Sequence, residues 1–148
     1  MRGCEMGNIF YNKTVTVYNK TSDDLMGTET WYATVLENVR LLVTKGANVS
    51  KSGMDSADAA SLYVKPELLQ DGCKKYLPAK EWLRMPDKCK EFFFTFASGE
   101  DFFVEGDTTR EEYTEEFFSC MKEKYDNCFK VTNVDRYELI PHLEVGGA

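Results

Sequence analysis

The sequence predicts a mainly β protein with a minor α component: a small β-barrel or sandwich of about six strands, one helix in the C-terminal half and a long loop between strands. Aromatic residues make up 14% of the 148 residues, and aromatic side chains are enriched in strands. Several short segments alternate apolar and polar residues, which is typical of half-buried strands. A chain of this length favours a single domain, here residues 1–148.

The first half of the chain contains three predicted strands. Residues 11–18 alternate clearly. The stretch 31–43 is longer, and its length predicts a bend or a β-bulge, as small barrels require. Residues 58–64 resume the alternation and end before Pro66. One face of the second strand is predicted to carry Val35, Val39, Leu41 and Val43.

The middle of the chain is rich in prolines and phenylalanines. A short helical turn over 79–83 is predicted to bury Trp82. Two Phe-rich segments, 92–96 and 101–105, flank the turn sequence at 97–100, which is typical of a β-hairpin. We expect this hairpin to supply much of the core.

One segment has clear helical periodicity. Thr109 and Glu112 have the spacing of a capping box, which predicts a helix over 109–125. A stripe at steps of four residues consists of Tyr113, Phe117, Met121 and Tyr125. Two further strands are predicted at 129–139 and 141–145.

The net charge of −7 is concentrated in one segment. Residues 100–126 contain ten acidic and three basic residues, so this segment alone carries −7 and the remainder is neutral. The simplest interpretation is a solvated acidic helix face. Such a surface repels nucleic acid, which argues against sequence-specific DNA binding.

The sequence lacks the patterns expected of a metal site or a catalytic centre. Its five cysteines are irregularly spaced without a C-x-x-C pair, and His142 is its one histidine. A nucleophilic pair of His142 with Cys120 or Cys128 is conceivable, but a partly buried structural histidine is favoured. Phosphate-binding, dinucleotide-binding and nucleophile-elbow motifs are missing. We therefore predict no enzyme activity, cofactor or metal. No apolar run approaches the ~20 residues of a membrane span, so no membrane association is expected.

The segment 44–56 contains two glycines and has no helical period, which predicts a mobile loop between strands. Residues 1–7 are expected to form a flexible N-terminus. Loops of this length are usually functional or disordered. One interpretation is a simple connector, and the other is a protruding finger that changes shape when a partner or DNA arrives. The candidate residues of this loop are Lys45, Gly46, Asn48, Lys51, Gly53 and Asp55.

Five segments carry a resemblance to a known group of proteins. They are NKTVTVYN at 12–19, WYATVLENVR at 31–40, GEDFFVEG at 99–106, VTNVD at 131–135 and PHLEVGG at 141–147. In this order they resemble the head-closure, or stopper, proteins of the head–tail connector, which are encoded in the head–tail gene clusters of phages and prophages of Gram-positive bacteria. The resemblance extends over most of the chain.

The resemblance implies a structural virion protein without catalytic residues. It implies a homo-oligomeric ring, with six copies expected, between the portal or adaptor above and a tail-terminator or tail protein below. The ring helps to close the head after packaging and lets the genome leave on infection. The loop over 44–56 would close the channel, and we expect Lys45 and Lys51 to contact DNA transiently and without sequence specificity. The expected location is the virion neck, after assembly from the host cytoplasm.

Other roles remain open at this point. Within the same particle, the chain fits an adaptor, a tail-terminator or tail-completion protein, or a minor capsid protein. From other classes, a nucleic-acid-binding β-barrel and a hydrolase using Cys128 and His142 are the alternatives, and the acidic balance argues against the first.

Overall fold

The structure, a computed structural model, describes residues 10–22, 27–44 and 59–148. The elements follow the chain as β1 (Lys13–Ser22), β2 (Glu29–Thr44), β3 (Ala59–Val64), a 3-10 helix (Pro66–Leu68), β4 (Lys75–Tyr76), α1 (Ala79–Arg84), α2 (Asp87–Lys90), β5 (Phe93–Phe94), β6 (Phe102–Glu105), α3 (Phe117–Lys124), β7 (Cys128–Tyr137) and β8 (His142–Gly147). Six of these strands close into an antiparallel barrel in the order β1-β2-β3-β8-β7-β6. The predicted mainly β fold is confirmed, and within the described residues it is a barrel.

Two long strands close the barrel because each serves two neighbours. β2 pairs with β1 along its first part and with β3 over residues 40–44. β7 pairs with β6 at its start and with β8 over the rest. The register skips Asn38 in β2 and Thr132 in β7, so each strand contains a bulge. Bulges bend and twist a strand, which directs its second half towards a new neighbour. The bulge predicted for the second strand is confirmed.

The bulge in β2 also changes which side chains point inward. Leu36 is fully buried before it, and Val39 and Leu41 are buried after it. Val35 is only half-buried. The prediction that Val35 shares the inner face with Val39 was wrong, because the extra residue at Asn38 shifts the alternation by one.

Two apolar clusters lie on opposite faces of β1. The barrel interior contains Val17, and the residues packed with it include Val15, Leu36, Val39, Leu62, Phe103, Phe129 and Val145. Tyr18 belongs to the second cluster, since successive side chains of a strand point to opposite faces. The second cluster consists of Tyr18, Trp31, Phe102, Val104, Phe117, Met121 and Cys128. The α3 helix therefore covers the outer face of β1, β6 and β7.

The predicted hairpin over 92–105 does not form. Residues 93–94 pair in parallel with 75–76, whereas β6 pairs with β1 and β7. The turn at 97–100 therefore connects two different sheets. The turn at 97–100 was predicted correctly. The predicted strand pairing was wrong, because β5 and β6 each pair with strands from other parts of the chain. The helical turn that buries Trp82 is confirmed, since α1 includes this residue and its side chain is 1% exposed.

The C-terminal helix begins at Phe117 and not at Thr109. The Thr109 hydroxyl donates to Asp107 Oδ1 at 2.7 Å, and the Thr109 amide donates to the same oxygen. This local side-chain bond competes with helix formation. Glu116 then adopts a left-handed conformation with φ of 55° immediately before the helix. The predicted capping box with Glu112 was therefore wrong.

The segment after β3 covers an edge of β2 that pairs with no strand among the described residues. Gln70 accepts the Glu37 amide through Oε1 at 3.0 Å and donates to the Val35 carbonyl through Nε2 at 2.8 Å. Lys74 Nζ donates to the Ala33 carbonyl at 2.9 Å. These side chains satisfy backbone groups that a strand would otherwise pair, so the edge is not open to another chain.

A buried carboxylate links the end of β1 to the start of β6. Asp101 is 1% exposed. It accepts the Lys20 amide at 3.0 Å, and the Asn19 side-chain amide and the Ala97 amide at 2.8 Å each. Asn19 also donates to the Thr95 carbonyl at 2.6 Å. Burial raises the pKa of Asp101 to about 6, although these hydrogen bonds favour the ionised form.

Substitution of Asn38 tests the bulge in β2. Asn38 has φ of 62°, and its side chain donates to the Leu68 carbonyl at 3.0 Å. Asn38→Val should lower the free energy of unfolding by about 2 kcal/mol, because a β-branched residue is strained at this φ. Asn38→Gly removes the same hydrogen bond without the strain and should cost about 1 kcal/mol or less. Urea denaturation measures both, and equal losses would contradict a left-handed bulge residue.

The pH dependence of stability tests the environment of Asp101. Its folded pKa of about 6 lies above the ordinary 3.8, so the folded state binds the proton more tightly. Ionisation of Asp101 therefore costs stability above about pH 6, and this cost disappears as the pH falls to about 4. We expect its contribution to the free energy of unfolding to rise by about 2–3 kcal/mol over this interval. Urea titrations of the wild type and Asp101→Asn measure it, and parallel curves for the two chains would refute it.

Candidate docking site at the β7–β8 hairpin

The hairpin between β7 and β8 presents apolar side chains to solvent. Its last pair is Tyr137 opposite His142, and residues 138–141 connect the strands. Leu139 is 96% exposed and Ile140 67%. Single exposed apolar side chains are common, but neighbouring ones in one loop mark a contact surface. We name Tyr137, Leu139 and Ile140 the docking tip.

A cavity of about 530 Å³ opens at the base of the docking tip. Its apolar lining includes Tyr76, Phe94 and Leu143, and Tyr137 and His142 line it on the hairpin side. Concave, largely apolar pockets of this size accommodate ligands or the side chains of a partner. We name it the tip cavity.

One wall of the tip cavity is formed by the segment after β3, within residues 66–76. Pro66 ends that strand and begins the 3-10 helix. Gln70 and Lys74 then bond the edge of β2, as described above. Tyr76 packs against Phe94 with ring centroids 5.8 Å apart. The wall is therefore attached to the barrel by both hydrogen bonds and aromatic contacts.

Charged side chains of both signs surround this apolar lining. Lys75, Arg136, Glu67 and Asp71 line the tip cavity and are exposed. Lys74 also lines it but directs its ammonium group to the β2 edge, and burial lowers its pKa. A polar rim around an apolar centre is the usual anatomy of a protein–protein contact.

His142 fixes the geometry of the docking tip. Its Nδ1 lies 2.7 Å from the Ile140 carbonyl oxygen, and its Nε2 lies 3.0 Å from Glu144 Oε2. Its ring stacks on Tyr137, with centroids 4.7 Å apart and planes at 9°. The hydrogen bond to Glu144, and then that to Ile140, raise the pKa of His142 above its ordinary value. The predicted structural histidine is thus half-buried at the base of the loop.

The cysteine–histidine pair considered for catalysis is not formed. Both nitrogens of His142 face Ile140 and Glu144, and Cys120 lies near Thr114 instead. Burial raises the pKa of Cys128 to about 12, so its thiol is not the reactive thiolate at neutral pH. Among the residues that the structure describes, no group of three or more His, Cys, Asp or Glu side chains is arranged to hold a metal ion.

The acidic segment forms a solvent-facing surface next to α3. Its exposed carboxylates include Asp107, Glu112, Glu115, Glu116 and Glu123. The prediction of a solvated acidic face holds for these side chains, although only part of the segment is helical. Asp101 departs from it because its carboxylate is buried.

The candidate residues of the predicted loop lie in the part of the chain that the structure does not describe. These are Lys45, Gly46, Asn48, Lys51, Gly53 and Asp55, within residues 45–58. The predicted flexible N-terminus, residues 1–7, lies outside the described residues as well.

The docking tip was not predicted, although the sequence contains a signal for it. Leu139 and Ile140 stand directly before Pro141, at a position where two strands are joined and polar turn residues are usual. The tip cavity has no comparable signal, because its walls come from the distant segments 66–76 and 136–143.

A closed antiparallel barrel with an apolar hairpin tip beside a cavity defines a small β-barrel protein with a candidate docking site. The chain belongs to the family described as "Family of unknown function (DUF6751)", whose model matches residues 10–148. No curated protein and no solved structure matches the chain. None of the described helices is long and apolar enough to span a membrane.

Polar substitution of the docking tip separates docking from folding. Leu139→Ser combined with Ile140→Ser should change the free energy of unfolding by about 0.5 kcal/mol or less, because both side chains already face water. Leu143→Ala in the adjoining strand should cost about 2–5 kcal/mol, because Leu143 is buried in the barrel. Chemical denaturation of the three chains measures this. A loss in the tip variant as large as that of Leu143→Ala would assign the tip to the core of the fold.

Proposed function

We propose that this protein is a structural virion protein of the neck of a tailed bacteriophage, of the head-closure type. Copies form a ring, expected to be a hexamer, between the portal or adaptor and the tail. The ring helps to retain the packaged genome and lets it pass on infection. The protein is located in the host cytoplasm before assembly and in the virion afterwards.

The docking tip is the observation that carries this proposal. Leu139 and Ile140 are exposed at the end of a hairpin whose strands are paired up to Tyr137 and His142. Adjacent exposed apolar side chains in one loop favour a surface that a partner covers, as in a subunit of an assembly. The tip cavity, with its apolar lining and mixed charges, has the character of a receptor for a neighbouring protein segment. The resemblance of the sequence to stopper proteins supports the same conclusion.

The charge distribution suits a ring around DNA. Phosphate adhesion depends on Lys and Arg side chains, and the surface beside α3 is instead rich in carboxylates such as Glu112, Glu115 and Glu116. A surface of this kind lets a polyanion slide past without being retained. The loop over 44–56 belongs to the same proposal, with Lys45 and Lys51 making transient contact with the DNA end.

Gene deletion in a phage or prophage that encodes the chain tests this function. We expect particles without the protein to accumulate as separate heads and tails, and the wild-type gene to restore joined, infectious particles. Leu139→Ser with Ile140→Ser should fail to restore joining, because the variant folds but lacks the apolar tip. Leu83→Ser is the matched control, since Leu83 is 51% exposed and belongs to α1, which is not part of the hairpin.

Electron microscopy and infectivity counts measure these outcomes. Joined and infectious particles in the absence of the gene would refute the proposal. The position of the protein in labelled virions separates the head-closure role from the adaptor, tail-terminator, tail-completion and minor capsid roles.

A further inference from the structure

His142 lies between two hydrogen-bond acceptors. A neutral imidazole carries one N–H group, and its second nitrogen is an acceptor. Here Nδ1 faces the Ile140 carbonyl at 2.7 Å and Nε2 faces a Glu144 oxygen at 3.0 Å. Only the imidazolium form donates to both. The geometry alone therefore selects the protonated ring.

The ring connects the three parts of the hairpin end. Nδ1 holds the backbone of Ile140, which belongs to the loop that carries the docking tip. Nε2 holds Glu144 further along β8. The ring face stacks on Tyr137 of β7, its partner in the strand register. A cation over an aromatic ring is stabilised by the ring quadrupole, so the protonated form favours this contact too.

Charged groups on the elements around the hairpin include one that raises the pKa of His142 and one that lowers it. On β8, Glu144 favours the imidazolium, and Asp135 on β7 lies opposite Glu144 in the register. Lys65, which follows β3, opposes it. The other charged groups of the tip cavity are Arg136, Lys74 and Lys75 against Glu67 and Asp71.

We propose that the protonation state of His142 switches the docking tip between a held and a loosened conformation. The imidazolium fixes Ile140, and with it the neighbouring Leu139, in the orientation that a partner meets. The neutral ring keeps only one of its two hydrogen bonds. With its proton on Nε2 it releases the Ile140 carbonyl, and with its proton on Nδ1 it holds that carbonyl through a weaker, uncharged bond, so deprotonation weakens the hold on residues 138–141 in either tautomer. This inference rests on the proposed docking function, whose contact site it would regulate.

The direction of the switch follows from linkage. The hydrogen bonds to Glu144 and Ile140 raise the folded pKa of His142 above its ordinary 6.5. We call the two hydrogen bonds of the His142 imidazolium the clamp. The clamp is therefore fully present below the pKa of the unfolded state and is lost as the pH rises through the pKa of the folded state. The docking tip is therefore held at acidic pH and loosened as the pH rises through the folded-state pKa of His142, which lies above 6.5.

Nuclear magnetic resonance on the whole chain tests the switch. His142 is the one histidine, so its ring signals are unambiguous. Across a pH titration, the ring midpoint should lie above 6.5, and the Leu139 and Ile140 methyl signals should titrate with the same midpoint. Loss of one charge-assisted hydrogen bond should change the ratio of held to loosened loop about tenfold, seen as a fall in the backbone order parameters of residues 138–141.

Three variants assign the effect to the clamp. His142→Phe keeps the ring stack but donates nothing, so the loop should stay loosened at all pH values. Glu144→Gln removes the anion and should lower the midpoint towards 6.5. Glu138→Gln removes an exposed carboxylate from the same loop and should leave the midpoint and the loop unchanged. Because these readouts use the isolated chain, they stand apart from the virion experiment.

Two results would overturn the inference. A ring midpoint at or below 6.5 would show that the two acceptors do not hold the imidazolium. A raised midpoint with unchanged loop signals would show that the ring does not control the docking tip. A functioning clamp with normal particles after gene deletion would instead refute the neck role alone.

Discussion

Closure of the barrel depends on one extra residue in each of two strands. β2 and β7 each pair with two neighbours in the barrel, and the bulges at Asn38 and Thr132 bend each strand near the point where its neighbour changes. The facing strand is adapted to the second bulge. A side chain at Gly146 would place its Cβ 2.2 Å from Asn133 Oδ1, so the Asn133 side chain would have to move before any other residue could fit there. Gly146 thus leaves room for the Asn133 side chain beside the bulge in β7.

The candidate docking site is a consequence of this closure. Because β2 turns towards β3 only after its bulge, the earlier part of β2 has an edge that no strand pairs within the described part of the chain. The segment after β3 covers it through Gln70 and Lys74, and the same segment is one wall of the tip cavity. The side chains that protect the edge thus also place an apolar pocket beside the hairpin.

Local patterns predicted much of the fold and little of the site. Alternation located the barrel strands, and the length of β2 predicted its bulge, because both depend on neighbouring residues. The inward position of Val35 was missed because the site of the bulge depends on the opposite strand. Pairing of 93–94 with 75–76 requires contacts that no local pattern records. The helix start at Thr109 failed because Asp107 competes for the capping hydroxyl.

The hydrogen bond from His142 to Ile140 bears on why the docking tip stays exposed beside an apolar cavity. Leu139 and Ile140 lie beside an apolar cavity of their own chain, and burying each side chain there would gain about 1.5–3 kcal/mol. Burial of these side chains in the cavity would compete with their presentation to a partner. A hydrogen bond between a charged ring and the Ile140 carbonyl contributes about the same amount, 1.5–3 kcal/mol. The charged hydrogen bond offsets about half of what burial of both side chains would gain, and in the proposed switch the proton on His142 therefore adds to the hold on the exposed tip.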